Sequence, residues 1–274
     1  MKKIVAFVTE LADIFNKNRL PQASAALSYY LTMTVFPLII CLYTLLGSNY
    51  QRAIDALDFV SRLWTPQVVG IVGDFLDYVS TSYSRAMLAA GLAVLITSSS
   101  AAFRSIEATI GQMQGGMRFE GFMYFIFSIL FSLMFLAGIY FSVLVILTGE
   151  DILALLNNIV PSIDIISSWN WLRFLLLGGI FFMIIWAVYA LSKRKIDRYR
   201  TFPGALLATI GIVVMSLVFS IFIGASAKYP LVYGSLASII LLMFWLFICC
   251  QIIYSGAAFN IALRNYRRKN GKYD

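Results

Sequence analysis

Six apolar stretches, each long enough to cross a lipid bilayer, leave this chain few folds to choose from. They cover residues 26–48, 84–106, 121–148, 171–191, 204–226 and 234–260, and none carries an acidic residue in its middle. A helix rises about 1.5 Å per residue, so roughly 20 apolar residues match a hydrocarbon core of about 30 Å. The pattern predicts an all-α integral membrane protein with six transmembrane helices. Composition agrees: 61% of the residues are hydrophobic and 12% charged, against roughly 45–50% and about 25% in soluble domains. A globule of 274 residues has too high a surface-to-volume ratio to hide that much apolar surface, so lipid must cover it.

The net charge of +8 suggests a nucleic-acid partner until its distribution is read. Lys2, Lys3, Lys17 and Arg19 precede the first stretch, Arg104 and Arg118 flank the second connection, Lys193, Arg194, Lys195, Arg198 and Arg200 follow the fourth stretch, and Arg264, Arg267, Arg268, Lys269 and Lys272 form the tail. If the spans alternate, all of these face one side. The other side receives Arg52, Arg62, Arg85, Arg173 and Lys228 with seven acids: Asp55, Asp58, Asp74, Asp77, Glu150, Asp151 and Asp164. The positive-inside rule then places both termini in the cytoplasm. Basic residues clustered at helix ends suit anionic headgroups better than a nucleic-acid groove.

Residues 1–20 read as an amphipathic helix lying in the inner interface. Ile4, Phe7, Val8, Leu11, Ile14 and Phe15 recur at helical spacing, while Glu10 and Asp13 interrupt any signal-peptide core. Pro21 is expected to break this helix and turn the chain into the first span. The membrane domain then occupies 21–263 and a basic cytoplasmic tail 264–274. The external loop 49–83 carries two apolar stripes, Ile54, Leu57, Val60, Leu63 and Trp64, then Val68, Val72, Phe75, Leu76 and Val79, separated by Thr65-Pro66. Two short amphipathic helices follow from that spacing, serving either as interfacial padding or as a lid. Residues 150–169 resemble a smaller version, divided by Pro161.

Catalytic chemistry finds few candidates. There is no histidine, and the three cysteines lack ligand spacing, so neither a metal site nor a His-based triad is expected. No two carboxylates converge within a span for acid–base work. Cys41 lies in the outer half of span one and Cys249 and Cys250 in the inner half of span six, too far apart in depth for a disulfide. No cofactor is implied and no catalytic residue is assigned.

What remains is the polar side chains inside the spans. Ser24, Ser28 and Thr32 form an i, i+4, i+8 stripe beside Tyr29 and Tyr30, and Pro37 follows within the same span and is expected to kink it. Span two closes with Ser98-Ser99-Ser100, then Arg104 and Glu107 at ion-pair spacing. Span six carries Gln251, Tyr254, Ser255 and Asn260. Such groups either pack helices together or line a polar cleft near the cytoplasmic face. On the cleft reading, its path holds Ser24, Ser28, Tyr29, Thr32, Pro37, Ser98, Arg104, Glu107, Gln251 and Asn260, with Arg104 available to an anionic lipid or amphiphile.

Four segments resemble a known family. Ala25-Ala26-Leu27-Ser28-Tyr29-Tyr30 with Phe36-Pro37, Phe202-Pro203-Gly204-Ala205, Tyr233-Gly234-Ser235-Leu236, and Gly256-Ala257 with Asn260 are similar in order and position to signatures of the YihY/BrkB membrane proteins. The resemblance covers nearly the whole chain. It implies a bacterial inner-membrane protein with six helices and both termini inside. Family members usually carry Glu where this chain has Ala258, and often Pro-Asn where it reads Ser192-Lys193. A role for that glutamate does not transfer. The family once bore a ribonuclease label and other members a virulence-factor label; nuclease chemistry finds no histidine and no acidic cluster here. Two functions follow as expectations. The first is a non-enzymatic transporter or lipid-handling protein, with membrane lipids as partners. The second is a non-transporting envelope scaffold. The absence of a midplane carboxylate weighs against proton coupling through Asp or Glu, and the absence of an internal repeat of the kind many transporters show weighs against the transporter reading.

Overall fold

The fold was analysed in a computed structural model that describes residues 2–45, 70, 73, 85–116, 121–159, 169–192, 201–225 and 236–269. The described elements are helices α1 (Lys2–Lys17), α2 (Leu20–Leu45), α3 (Arg85–Gln114), α4 (Gly121–Ile159), α5 (Trp169–Ser192), α6 (Phe202–Ala225) and α7 (Leu236–Lys269). No strand occurs among the described residues. The last six are each long and apolar enough to cross a membrane, as the six stretches predict. Apart from Gly70 and Gly73, the helices expected over 49–83 lie outside the described residues.

Several boundaries differ from expectation. α3 runs on to Gln114, α4 continues through Glu150 and Asp151 to Ile159, and α7 absorbs Arg264, Arg267, Arg268 and Lys269. Apolar runs mark only the lipid-facing part of a helix; the hydrogen-bond ladder continues into water wherever the residues tolerate it. α4 has 39 residues and α7 has 34, so at about 1.5 Å per residue both exceed a core of about 30 Å.

The turn from α1 into α2 falls at Asn18–Arg19 rather than at Pro21. Arg19 adopts a left-handed conformation (φ 48°), and Asn18 closes α1 by donating from its side-chain amide to the Ile14 carbonyl at 2.7 Å. Pro21 sits in the first turn of α2, where its missing N–H would have had no helical partner. α2 likewise continues through Pro37, which removes only the bond to the carbonyl one turn back.

α1 packs its apolar stripe on the rest of the bundle. Phe7 packs edge-on against Phe259 at 5.5 Å and Tyr266 at 6.3 Å on α7, while Leu11, Ile14 and Phe15 press against the central core. That core joins Leu20 and Leu27 of α2, Ala102, Phe103 and Ile110 of α3, Tyr189 of α5, Ala205 and Ala208 of α6, and Cys250, Tyr254 and Ala258 of α7. α2 packs chiefly on α3 and α7, α7 also on α6, α3 on α4, and α5 on α4 and α6. The outer faces are apolar and open: Phe122, Leu130 and Phe141 on α4 and Ile210, Leu217 and Ile221 on α6 are exposed. Exposed apolar faces on this scale are surfaces for lipid.

Lipid tails are as apolar as leucine, so close backbone approach and interhelical hydrogen bonds must supply much of the cohesion. α6 and α7 show this. A Cβ on Gly256 would stand 2.7 Å from the Gly204 carbonyl oxygen and 2.7 Å from the Tyr189 hydroxyl, and one on Gly211 would stand 2.9 Å from Ile252. A Cβ on Gly204 would overlap the Gly256 carbonyl and the Asn260 amide. Only glycine permits this contact.

Candidate functional site

Two buried polar seams carry the side chains that sequence reasoning singles out. The first lies between α3 and α4. Gly115 (φ 78°) ends α3 in the left-handed conformation, and the Gly116 amide donates back to the Gly111 carbonyl at 2.8 Å, a Schellman closure. The chain re-enters as α4 at Gly121, so Ser128 comes level with Ser100 and Ser132 with Ser99. The Ser100 and Ser128 hydroxyls are 2.8 Å apart, and those of Ser99 and Ser132 are in direct contact. Higher on α3, Ser98 meets the Thr34 hydroxyl of α2 at 3.0 Å.

Arg104 occupies the open edge of this seam. Its Nη1 donates to Ser100 Oγ at 2.8 Å and to Ser128 Oγ at 3.3 Å. Ser128 in turn donates to the Phe125 carbonyl at 2.7 Å, and the Tyr124 hydroxyl donates to the Arg104 carbonyl at 2.9 Å. The guanidinium lies 5.5 Å from the centre of the Phe125 ring, and that ring is 48% exposed. Arg104 therefore points back along α3, as helical side chains do, and its contacts run to hydroxyls and a ring face rather than forward to Glu107. Glu107, one turn on, is fully buried. A guanidinium has five N–H donors, and among the described contacts Nη1 alone is engaged. A charge at membrane depth costs about 2.5–3.5 kcal/mol on insertion scales. Hydroxyl acceptors and the Phe125 face offset part of that cost.

The second seam lies where α2, α3 and α7 meet. Ser24, Ser28 and Thr32 are buried, and each donates to its own helix: Ser24 to the Leu20 carbonyl at 2.8 Å, Ser28 to Ala25 at 2.9 Å, Thr32 to Ser28 at 2.8 Å. Gln251 and the fully buried Tyr254 come from α7. Tyr29, next to the stripe, is 51% exposed and stacks edge-on with Tyr30 at 5.7 Å. Pro37 is half-buried further along α2.

Asn260 belongs to neither seam. Its Oδ1 accepts from the Gly204 amide at 2.8 Å and its Nδ2 donates to the Thr201 carbonyl at 3.0 Å, capping the first turn of α6 from another helix. The Tyr189 hydroxyl likewise donates to the Ile253 carbonyl. The ten expected residues are thus distributed over two seams, one cap and a lipid-facing tyrosine. Sequence reasoning missed Ser128, Ser132 and Tyr124. Their signal was present: two serines four apart in an otherwise apolar run share a helix face.

Among the described residues no group of three or more His, Cys, Asp or Glu is placed to hold a metal. The architecture is that of a multi-pass α-helical membrane protein. The family model described as Virulence factor BrkB matches residues 11–274, and the chain belongs to that family. It is 25% identical over 271 residues, covering 97% of each chain, to a ribonuclease-like protein, YfkH, of Bacillus subtilis (strain 168). It is 22% identical over 269 residues to the UPF0761 membrane protein NT05HA_1801 of Aggregatibacter aphrophilus, covering 95% of this chain and 93% of that one. The UPF0761 membrane protein Smlt0865 of Stenotrophomonas maltophilia is 22% identical across 97% of this chain and 62% of its own length. No solved structure matches the chain. At Ala258, where the resemblance expects glutamate, the side chain is fully buried in the core.

Proposed function

We propose that this protein handles an anionic lipid or amphiphile in the bacterial cytoplasmic membrane, without catalysing a covalent reaction and with both termini in the cytoplasm. The observation that carries the reading is Arg104, held by Ser100 and Ser128 at the lipid-facing edge of the α3–α4 seam. A phosphate or carboxylate arriving from the bilayer would meet the unused N–H donors of a fork suited to bidentate contact. The exposed Phe125 ring beside it offers acyl chains an apolar surface. The ribonuclease-like name of the Bacillus relative finds no chemistry in these side chains.

A second reading, a non-transporting envelope scaffold, draws on the inward hydrogen bonds of Ser24, Ser28 and Thr32. Those bonds make the α2 stripe a packing surface as readily as a path. Lipid analysis separates the two. The protein is extracted gently and its co-purifying lipids are identified by mass spectrometry, with Arg104→Ala as the comparison. A stoichiometric anionic lipid lost in the variant supports lipid handling; bulk membrane lipid unchanged by the substitution overturns it in favour of the scaffold.

A further inference from the structure

The register of the α3–α4 hairpin fixes how deep the Arg104 charge lies. Ser100 opposes Ser128 and Ser99 lies against Ser132. The same register sets Arg104 opposite Tyr124, whose hydroxyl donates to the Arg104 carbonyl at 2.9 Å. The Arg104 backbone is therefore level with the first turn of α4, where exposed Phe122 opens the apolar span Phe122–Ser142. The guanidinium is deeper. It reaches back to Ser100 and Ser128, and Ser128 stands about 9 Å along α4 from Phe122, short of the middle of the span.

This orientation runs against snorkelling. The nearer membrane surface is the one where α3 ends and α4 begins, and a long basic side chain near a helix end bends toward such a surface. Arg104 extends the other way, toward the bilayer centre. Helix geometry starts the side chain in that direction, and two hydroxyls and the Phe125 ring hold it there. A charge kept below the headgroup plane by neutral groups draws an anion to the same depth.

The neighbouring side chains define that anion. Ala101 and Thr97 share the Arg104 face of α3 at i−3 and i−7, and Ile129 shares the Phe125 face of α4 at i+4; all four are half-buried or exposed. The helices are antiparallel, so both rows run from the guanidinium toward the bilayer centre, a path that fits an acyl chain. A fatty carboxylate at this depth is desolvated and pushed toward its neutral form, whereas a phosphodiester keeps its charge.

We propose that the site takes an anionic phospholipid from the leaflet at the α1 end of the bundle, with its phosphate sunk to the level of Ser100 and Ser128 and one chain lying between α3 and α4 over Phe125 and Ile129. This rests on the lipid-handling reading and adds the headgroup chemistry, the leaflet and the depth.

Photolabelling tests it. The full chain, in discs of phosphatidylcholine, receives phosphatidylglycerol carrying a diazirine near the glycerol end of one chain, and the labelled residues are mapped by mass spectrometry. Label should concentrate on 97–101 and 129–133 and fall about tenfold or more in Arg104→Ala, as loss of a charged hydrogen bond implies. Ala101→Phe, which fills the chain path and keeps the guanidinium, should lower it likewise. Excess glycerol phosphate, a headgroup without a chain, should leave it unchanged. Label on 122–127 instead means a lipid at ordinary depth, and displacement by glycerol phosphate means a site for free phosphate compounds; either overturns the proposal while Arg104-dependent binding keeps the broader reading. A label map in the parent that matches diazirine-bearing phosphatidylcholine overturns both.

Discussion

The Gly204 amide donates to Asn260 Oδ1 at 2.8 Å across 56 residues of sequence, binding the first turn of α6 to the C-terminal half of α7. The same two segments, Phe202-Pro203-Gly204-Ala205 and Gly256-Ala257 with Asn260, carry part of the family resemblance. Their meeting gives that resemblance a physical cause: glycine for backbone approach, asparagine to satisfy what the approach exposes.

Asn260→Leu should therefore destabilise the bundle more than its volume change implies. The Gly204 N–H and the Thr201 carbonyl would both lose their partner in a buried setting, at about 1–3 kcal/mol for each group. Gly204→Ala acts on the same contact by overlap with the Gly256 carbonyl and should cost about 1–3 kcal/mol or more. Thermal unfolding in detergent, read by size-exclusion chromatography, checks both. A parental melting curve in either variant would show that α6 and α7 are held elsewhere.

Arg19→Gly should stabilise. Arg19 sits at φ 48° between α1 and α2, where a side chain costs roughly 1–2 kcal/mol that glycine avoids. Part of this gain is lost to the freer unfolded chain, leaving a Tm rise of about 2–4 °C per kcal/mol retained. The position is half in solvent, so no packing change competes. A lower Tm would mean that the Arg19 side chain contributes a contact outweighing its backbone strain.

How far the sequence reaches is clearest at this turn. Pro21 is the obvious breaker, yet proline fits the first turn of a helix, and the reversal falls on a residue type that rarely adopts positive φ. The six spans are legible because lipid demands length and hydropathy, which are additive along the chain. The α3–α4 seam is not, because Ser100 and Ser128 acquire meaning only once the hairpin register opposes them. Asn260 looks like a cleft residue in one dimension and is a cap in three. The stripe of Ser24, Ser28 and Thr32 is legible as a stripe, but helical serines can turn their hydrogens inward, and these do.

Phe7→Ala should loosen α1. The ring makes edge contacts with Phe259 and Tyr266, each worth about 0.5–1.5 kcal/mol beyond burial. Since Leu11, Ile14 and Phe15 also pack against the core, α1 should stay helical while its N-terminal half detaches more often. Limited proteolysis near the N-terminus should speed up several-fold with the Tm of the bundle almost unchanged. Cleavage at the parental rate would place the anchor of α1 wholly in its last two turns.

Arg104 and Ser128 should be energetically coupled, and the sign of the coupling decides what the seam is for. Ser128→Ala removes one of the two hydroxyl acceptors of Nη1 and takes from Ser100 its serine neighbour, leaving it the bond from Arg104; hydrogen bonds to a charged group are worth about 1.5–3 kcal/mol. If the hydroxyls exist to hold the guanidinium, Ser128→Ala is costly with Arg104 present and nearly neutral in Arg104→Ala, giving an interaction energy within about 0.5–3 kcal/mol. Arg104→Ala alone should then cost little stability, because it also removes a charge that is expensive at this depth. An arginine that weakens the bundle yet is tightly held in place is one kept for a ligand. Should Arg104→Ala instead unfold the protein, the side chain is a structural tie between α3 and α4, and the lipid reading loses the observation it rests on.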